Sequence, residues 1–402
     1  MKKTKIAQNR LRCMIVTLID FNKHTGEASF YYELIDSLRH KFEDVIVIST
    51  KGSFSQLTKI GVKTFPISPI NPPRLFYTFR IGLALLSATI FMLFSFITVL
   101  VYYLIFKPHI VLLRHSLLSF TISQALRVLR AKTIADGDIT SEVLKRYSAL
   151  KLSPIFLRLL ETLEKITLNS YSIIRASNYD LARRFIRFGI IKEKIWVYPP
   201  GIDISRIPYQ PLSGTARTSI GFFGYITEWQ GIQFFLPIFK ELCRHMSEAK
   251  LIIIGEGPYL PNLKRLVKQV KLSKNVIFIS PMDRNILLRD GFKLFSMAVI
   301  PRIGSPGGLP MKMIEAMAAG KPIILFRSHE WPSYLCEDNG VIMIEPDNVE
   351  SSVKKLIEVI TNKEKYLLLS SRAKSFSQRF DISHLADKIR KFALQYCEKD
   401  LR

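Results

Sequence analysis

The chain has 402 residues, 48% of them hydrophobic and 23% charged, which is enough apolar material for two or three packed domains and excludes a disordered chain. Lys and Arg number 58 against 33 Asp and Glu, a formal net charge of +25, so an anionic partner is expected: nucleic acid, a phospholipid surface or a phosphorylated substrate. Cys13, Cys243, Cys336 and Cys397 lie far apart, with no CxxC and no metal-type Cys/His spacing; they read as free thiols in a reducing compartment. Met1-Lys2-Lys3 looks like the start of a signal peptide, but Gln8, Asn9, Arg10 and Arg12 interrupt the apolar run that would have to follow, so a cleaved signal is not expected.

The elements then alternate. Arg12–Ile19 reads as a strand, followed by a polar loop with Gly26 and a helix from about Glu27 to His40. Strand patterns recur at Val45–Ser49, Val62–Pro66, Ile110–Leu113, Thr133–Ala135 and Ser172–Ala176, with helical patterns around Ser119–Arg130 and from Asn178. Such alternation implies a parallel sheet covered on both faces. Between them, Ile81 to Phe106 is 26 residues without a charge, bounded by Arg80 and Lys107. As a helix it is about 39 Å long, enough to cross a bilayer. It can be a transmembrane span, a helix lying in the membrane surface, or a buried helix. If the strands on either side of it share one sheet, both its ends lie on one side of a membrane, which makes a single span awkward and favours partial, monotopic insertion. The flanking Arg and Lys fit an anionic leaflet.

A break falls near Val197–Asp203, and the polar stretch from Ser205, with Pro208, Pro211 and Gly214, reads as a linker over 205–218. The rhythm restarts with strand patterns at Ile220–Phe223, Leu251–Ile254, Val276–Ile279, Met297–Ile300, Ile323–Phe326 and Val341–Ile344. Leu385, Ile389, Phe392 and Ala393 have helical spacing. The division is therefore 1–204, the linker, 219–380 and a final helix over 381–402. Both domains are α/β.

Ligands of open α/β sheets bind beyond the carboxyl ends of the strands. The richest such place is Pro301–Pro322, where a strand ends in a Gly/Pro loop and a helix starts near Pro310. Gly307 and Gly308 let backbone amides approach a phosphate. Lys312 and Glu315 share a helix face, offering a cation for phosphate and a carboxylate for sugar hydroxyls; a glycine turn followed by an exposed ion pair is the plainer reading. Gly221–Gly231 and Gly255-Glu256-Gly257-Pro258 follow two further strands, the second having the composition of an ordinary turn. In the first half, Gly26 opens a helix, His115 follows Ile110–Leu113, and Asp136-Gly137-Asp138 follows Thr133–Ala135. Each sits where binding residues belong, and each fits a structural role as well. No GxxxxGK[ST], no HExxH and no GxGxxG after the first strand is present, which leaves a P-loop NTPase, a zincin and a dinucleotide enzyme without support.

Phe223-Gly224 with Gln230-Gly231, then Ile254-Gly255-Glu256-Gly257-Pro258, then Gly308-Leu309-Pro310-Met311-Lys312-Met313-Ile314-Glu315-Ala316-Met317-Ala318-Ala319-Gly320-Lys321-Pro322, in this order and spacing, resemble the retaining family-4 glycosyltransferases (glycosyltransferase group 1) of GT-B fold. Val197–Asp203 resembles the interdomain signature of that family, and Gly26 its N-terminal glycine loop. The resemblance implies two Rossmann-like domains facing a central cleft, with a C-terminal helix crossing back to the N-terminal domain. It implies a nucleotide-sugar donor on the C-terminal domain and an acceptor on the N-terminal one, often at a membrane surface. Glu315 would hold the ribose hydroxyls. Gly307, Gly308 and Leu309 would offer backbone to the donor sugar and phosphates, and Gly26 would approach the diphosphate from the opposite domain. The family's usual glycine-arginine and lysine-glycine pairs are here Gly224-Tyr225 and Gln230-Gly231, and the earlier acidic position is Gly307, so Lys312 or Arg302 would supply the charge.

The expected function is that of a retaining, metal-independent glycosyltransferase. It would move a sugar from a nucleoside-diphosphate sugar, such as a UDP-sugar, to a glycan or lipid-linked acceptor of polysaccharide biosynthesis at the cytoplasmic membrane face. His115 and Asp136 would position the acceptor, and no cofactor is expected. A non-catalytic, membrane-associated relative is the alternative. Nucleic-acid binding has only the charge in its favour, and no recognised module supports it.

Overall fold

The computed structural model describes residues 11–19, 21, 26–50, 54–68, 81–142, 153–211, 218–302, 309–328 and 331–399. Two compact units divide the chain, one comprising residues 1–199 with 383–402, the other residues 200–382.

The first unit runs β1 (Arg12–Val16), α1 (Gly26–Arg39), β2 (Asp44–Ser49), α2 (Phe54–Thr58), β3 (Lys63–Pro66), α3 (Ile81–Phe106), β4 (Ile110–Arg114), α4 (Phe120–Val128), β5 (Thr133–Asp136), α5 (Pro154–Ser170), β6 (Ile173–Ala176), α6 (Tyr179–Arg187) and β7 (Ile195–Val197). The seven strands form one sheet in the order β3-β2-β1-β4-β5-β6-β7, and every pairing is parallel. Cys13 stands between Val45 and Ile110 in the register. β1, β2 and β4 are near-continuous apolar runs because helices cover both of their faces. Side-chain caps start the helices where the sequence supplies them: Ser153 accepts from the Phe156 amide, and Asn178 from that of Leu181.

The second unit runs β8 (Ser219–Phe223), α7 (Ile232–His245), β9 (Lys250–Ile254), α8 (Leu260–Gln269), β10 (Val276–Ile279), α9 (Arg284–Arg289), β11 (Met297–Ile300), α10 (Met311–Ala318), β12 (Ile323–Phe326), β13 (Val341–Ile344), α11 (Val349–Thr361) and α12 (Lys363–Ser377). Its six parallel strands lie in the order β10-β9-β8-β11-β12-β13. The last helix, α13 (Ile382–Lys399), returns to the first unit. There Phe392 meets Trp196 edge-on at 5.0 Å, Lys388 lies 4.6 Å from the same indole, and Asp387 pairs with Lys41 at 2.7 Å.

Ile195–Val197 is the edge strand β7, so the first sheet continues up to the break read near Val197–Asp203. Within the stretch read as a linker over 205–218, Ile207 is buried in the core of the second unit, as are Ile202 and Ile204 just before it, and the Gln210 amide donates to the Ala319 carbonyl.

α3 lies on the sheet along a narrow stripe. Ala88, Phe91, Ser95 and Val99 are buried at helical spacing, whereas Leu93 (55%), Leu104 (53%) and Ile105 (72%) are exposed. Among the described residues, one helical stretch, Ala88–Phe106, is long and apolar enough to cross a membrane, and 17% of it is buried. β3 and β4, on either side of α3, belong to one sheet.

One core side chain breaks the apolar rule. Lys321 is fully buried, its Nζ has no hydrogen-bond partner and lies 6.0 Å from the Phe295 ring, and burial lowers its pKa to about 7. The folded chain binds the Lys321 proton more weakly than the unfolded chain does. This cost is therefore complete below about pH 7 and fades as pH rises toward the ordinary lysine range. Lys321→Met is expected to stabilise the protein by about 2 kcal/mol at pH 6 and by less at pH 9, read by denaturant unfolding at the two pH values.

Candidate functional site

In both sheets the strand order reverses direction at one place, between β1 and β4 and between β8 and β11, and open α/β sheets bind ligands beyond the strand ends there.

In the second unit the loop after β8 is held by the turn after β9. The Gly224 amide donates to the Ile254 carbonyl, and that of Ile226 to Glu256. A Cβ on Gly255 would fall 2.0 Å from the Gly224 carbonyl oxygen, at φ +144°, so only glycine permits this approach. Gly255–Pro258 is thus a packing turn, and its glycines face protein. Gly231 (φ +76°) brings the end of the β8 loop against β11, where a Cβ would meet the Pro301 carbonyl at 2.1 Å. That contact delivers Gln230 to the first turn of α10, and Lys312 Nζ donates to Gln230 Oε1 at 2.9 Å. The same ammonium lies 4.1 Å from the Phe222 ring.

Arg302, two residues beyond β11, is the second cation. Its side chain is buried, its guanidinium lies 4.9 Å from the Trp229 ring, and its Nε has no hydrogen-bond partner. Burial lowers the Arg302 pKa to about 10. Burial, and then the charge of Arg302, push Lys312 well below the lysine range. Among the described residues no carboxylate pairs with either. Two cations at one strand crossing, without a counter-ion, favour an anion there.

One turn along α10, Glu315 is buried and its Oε1 accepts from Arg284 Nη2 at 2.9 Å and Nε at 3.2 Å. Leu309 is buried beside the helix start, and Pro310 occupies the cap position with φ −65°. Gly307 and Gly308 lie outside the described residues. Gly224, Gln230, Lys312 and Glu315 are therefore gathered within the second unit. Arg284 is a partner that sequence reading missed; a single arginine at the start of a six-residue helix gives no pattern to find.

In the first unit the expected residues sit at strand ends and are already engaged. Asp136 ends β5, and its Oδ1 accepts from Arg175 Nη2 at 2.6 Å and Nε at 3.0 Å. Arg175 also donates to the Tyr198 carbonyl at 2.7 Å and lies 4.5 Å from the Phe30 ring. Beside it, Arg114 pairs with Glu27 in the first turn of α1. Burial works against the charge of Arg114, but Glu27 and then Asp136 outweigh it and hold its pKa above the ordinary range. Gly26 is the first residue of α1.

His115 is buried with both ring nitrogens engaged. Nε2 lies 3.0 Å from Glu164 Oε1, and Nδ1 lies 3.4 Å from the Tyr171 hydroxyl. Glu164 also accepts from the Thr140 and Ser141 amides and the Ser141 hydroxyl. Burial raises the Glu164 pKa, and the hydrogen bonds from His115 and Ser141 overcome this and hold it below the usual value. A carboxylate with a depressed folded pKa stabilises fully above its unfolded pKa, and that contribution is lost as pH falls through the folded value. Glu164→Gln is expected to cost about 2 kcal/mol near neutral pH and to flatten the acid limb of stability below pH 4, as measured by urea titration.

Residues 205–376 match the family described as glycosyl transferases group 1. An uncharacterised glycosyltransferase of Haemophilus influenzae is 28% identical over 184 residues, which is 45% of this chain and 50% of that protein. The putative colanic acid biosynthesis glycosyltransferase WcaL of Escherichia coli is 28% identical over 183 residues, 44% of each chain. The chain thus spans half or less of the length of these relatives. Among solved structures, HepE of Anabaena in complex with UDP-glucose superposes with a TM-score of 0.70 at 16% identity, covering 95% of this chain and 99% of that one. Residues 205–376 thus resemble the glycosyl transferases group 1, and the chain that carries them has the GT-B fold.

Proposed function

We propose that this protein is a retaining glycosyltransferase that moves a sugar from a nucleoside-diphosphate sugar to a lipid-linked or cell-envelope glycan acceptor at the cytoplasmic face of a membrane. The observation that carries the donor half of this reading is the pair Arg302 and Lys312, two cations at the β8/β11 crossing without a carboxylate partner among the described residues. The leaving diphosphate would seat between them, neutralised by Lys312 and Arg302 and by the amides at Gly307, Gly308 and Leu309. Glu315, steadied by Arg284, would accept from the ribose hydroxyls. Gln230 would hold Lys312 in place, and Gly224 would let the loop backbone approach the phosphates.

The acceptor hydroxyl would attack from the face the diphosphate leaves, as the resemblance to retaining family-4 glycosyltransferases implies. A phosphate oxygen would take its proton, and configuration would be retained. The first unit would hold the acceptor. Asp136 and His115 act in this reading through Arg175 and Glu164, as positioning residues, and Gly26 offers an amide at the start of α1. Three features of the chain support membrane attachment: the uncharged α3, the exposure of apolar side chains along it such as Leu93, Leu104 and Ile105, and the +25 charge. Sharing of one sheet by β3 and β4 favours partial insertion over a span.

The test is transfer by the purified chain from a panel of radiolabelled UDP-, GDP- and ADP-sugars to bacterial membrane lipid extract, with the anomer assigned by NMR. A labelled lipid product of unchanged anomeric configuration is expected. Inversion would contradict the retaining reading, and no transfer or hydrolysis with any donor would favour a non-catalytic relative.

A further inference from the structure

Between α3 and α4 lies an open apolar groove of about 710 Å³, lined by Met92, Leu93, Phe96 and Leu100 on one side and by Ala125 and Val128 on the other. Its polar groups bond within the protein: Thr121 Oγ1 donates to the Met92 carbonyl, and Gln124 Nε2 to the Ser123 hydroxyl. Nothing in it is built to recognise a polar ligand. Both helices are crossovers of one parallel sheet, so both run against the strands, and their C-terminal ends share the edge of the sheet where the strands begin.

That end of the groove is basic. Val128, 82% exposed, is the last residue of α4, with exposed Arg127 before it and Arg130 two residues beyond; Lys107 directly follows α3. Arg127 lies three residues after the groove-lining Gln124 and therefore on the same helix face. Among the described residues no carboxylate pairs with Arg127, Arg130 or Lys107. The surrounding chain is one-sided in the same sense: residues 45–135 contain ten Lys and Arg and no Asp or Glu, so all 33 acidic residues lie outside the stretch that builds the groove. A basic rim on an apolar slot complements an amphiphile with a negative head and a hydrocarbon tail.

We propose that the α3/α4 groove binds one acyl chain of an anionic bilayer phospholipid, whose phosphate sits among Arg127, Arg130 and Lys107. This rests on the membrane reading above and goes beyond it: α3 would not merely dip into the bilayer but, with α4, would hold a lipid of chosen charge. The basic rim lies at the amino ends of the strands, so this lipid is a docking lipid, distinct from the acceptor held at the carboxyl ends.

The full chain is mixed with vesicles of phosphatidylcholine, with or without phosphatidylglycerol, each doped with the matching lipid carrying a diazirine on one acyl chain. Sedimentation reads attachment, and peptide mapping after illumination reads where the chain lies. The expected result is phosphatidylglycerol-dependent labelling of groove residues such as Phe96, Leu100 and Ala125. Ala125→Trp should abolish groove labelling while sedimentation persists. Arg127→Glu with Arg130→Glu, both at exposed positions that leave the core intact, should lower partitioning to phosphatidylglycerol vesicles by about 30-fold, at about 1 kcal/mol per cation. Sedimentation with labels confined to the outer face at Leu104 and Ile105, or equal groove labelling by phosphatidylcholine, would overturn the groove proposal and leave the membrane reading standing. Failure of the unaltered chain to sediment would remove both. Concentration-dependent dimerisation abolished by Ala125→Trp, without lipid labelling, would show instead that a second copy fills the groove.

Discussion

Replacing Arg302 and Lys312 together by Met is expected to weaken binding of a nucleoside diphosphate by about 1,000-fold or more, and Lys312→Met alone by about 100-fold. Each charge-assisted contact to a phosphate is worth roughly 1.5–3 kcal/mol. The double variant is at the same time expected to resist unfolding at least as well as the parent. It removes two buried cations with no carboxylate partner among the described residues and fills their volume with apolar atoms. Loss of binding with retained stability separates a ligand site from a structural one. The pH dependence has a definite sign. Lys312 is pushed below the lysine range by burial and then by Arg302, and a bound diphosphate restores the protonated form. Binding therefore takes up a proton above the free protein's Lys312 pKa, and affinity falls as pH rises through that range. Calorimetry in two buffers of different ionisation enthalpy measures that uptake directly; a Lys312→Met variant should show less of it.

Glu315 gives the second large effect. Glu315→Gln keeps the shape of the side chain and one acceptor toward Arg284 but removes the charge that would bind two ribose hydroxyls. A fall in kcat/KM for the donor of about 100-fold is expected, carried mostly by KM. Glu315→Ala adds a structural cost by removing the carboxylate that now pairs with the half-buried Arg284 guanidinium at 2.9 Å. About 2 kcal/mol is expected, read by chemical denaturation. If Glu315 serves only to hold Arg284, the Gln variant will shift the unfolding midpoint and leave the KM for donor unchanged.

The fold was largely legible from pattern. Strands such as Val45–Ser49, Leu251–Ile254 and Ile323–Phe326 are short apolar runs bounded by turn residues, and burial on both faces of a parallel sheet leaves no other way to read them. β7 escaped notice because Ile195-Trp196-Val197 is a three-residue edge strand between polar segments. Ile207, a lone apolar residue in the Pro-containing stretch after Ser205, carries no periodicity, yet it fills the core of the second unit.

The candidate site was legible by place and less so by contact. Position after a strand singled out Gly224, Gln230, Lys312 and Glu315. That Lys312 would reach Gln230, 82 residues earlier, depends on Gly231 packing against Pro301, a backbone approach that no side-chain pattern announces. His115 and Asp136 were expected to face a ligand. Their partners, Glu164 in the body of α5 and Arg175 within β6, lie 49 and 39 residues away, so no local pattern reveals that both are engaged. The groove between α3 and α4 was equally hidden. A run of 26 uncharged residues declares an apolar helix, but which of its faces the sheet covers is decided by packing.

The measurement that bears most directly on the account is titration calorimetry of UDP, GDP and ADP into the purified protein beside its Arg302→Met/Lys312→Met variant. One of the three is expected to bind, with proton uptake at alkaline pH, and the folded double variant is expected to bind none. Equal binding by parent and variant would show that the diphosphate sits elsewhere and would contradict the role given to these two cations.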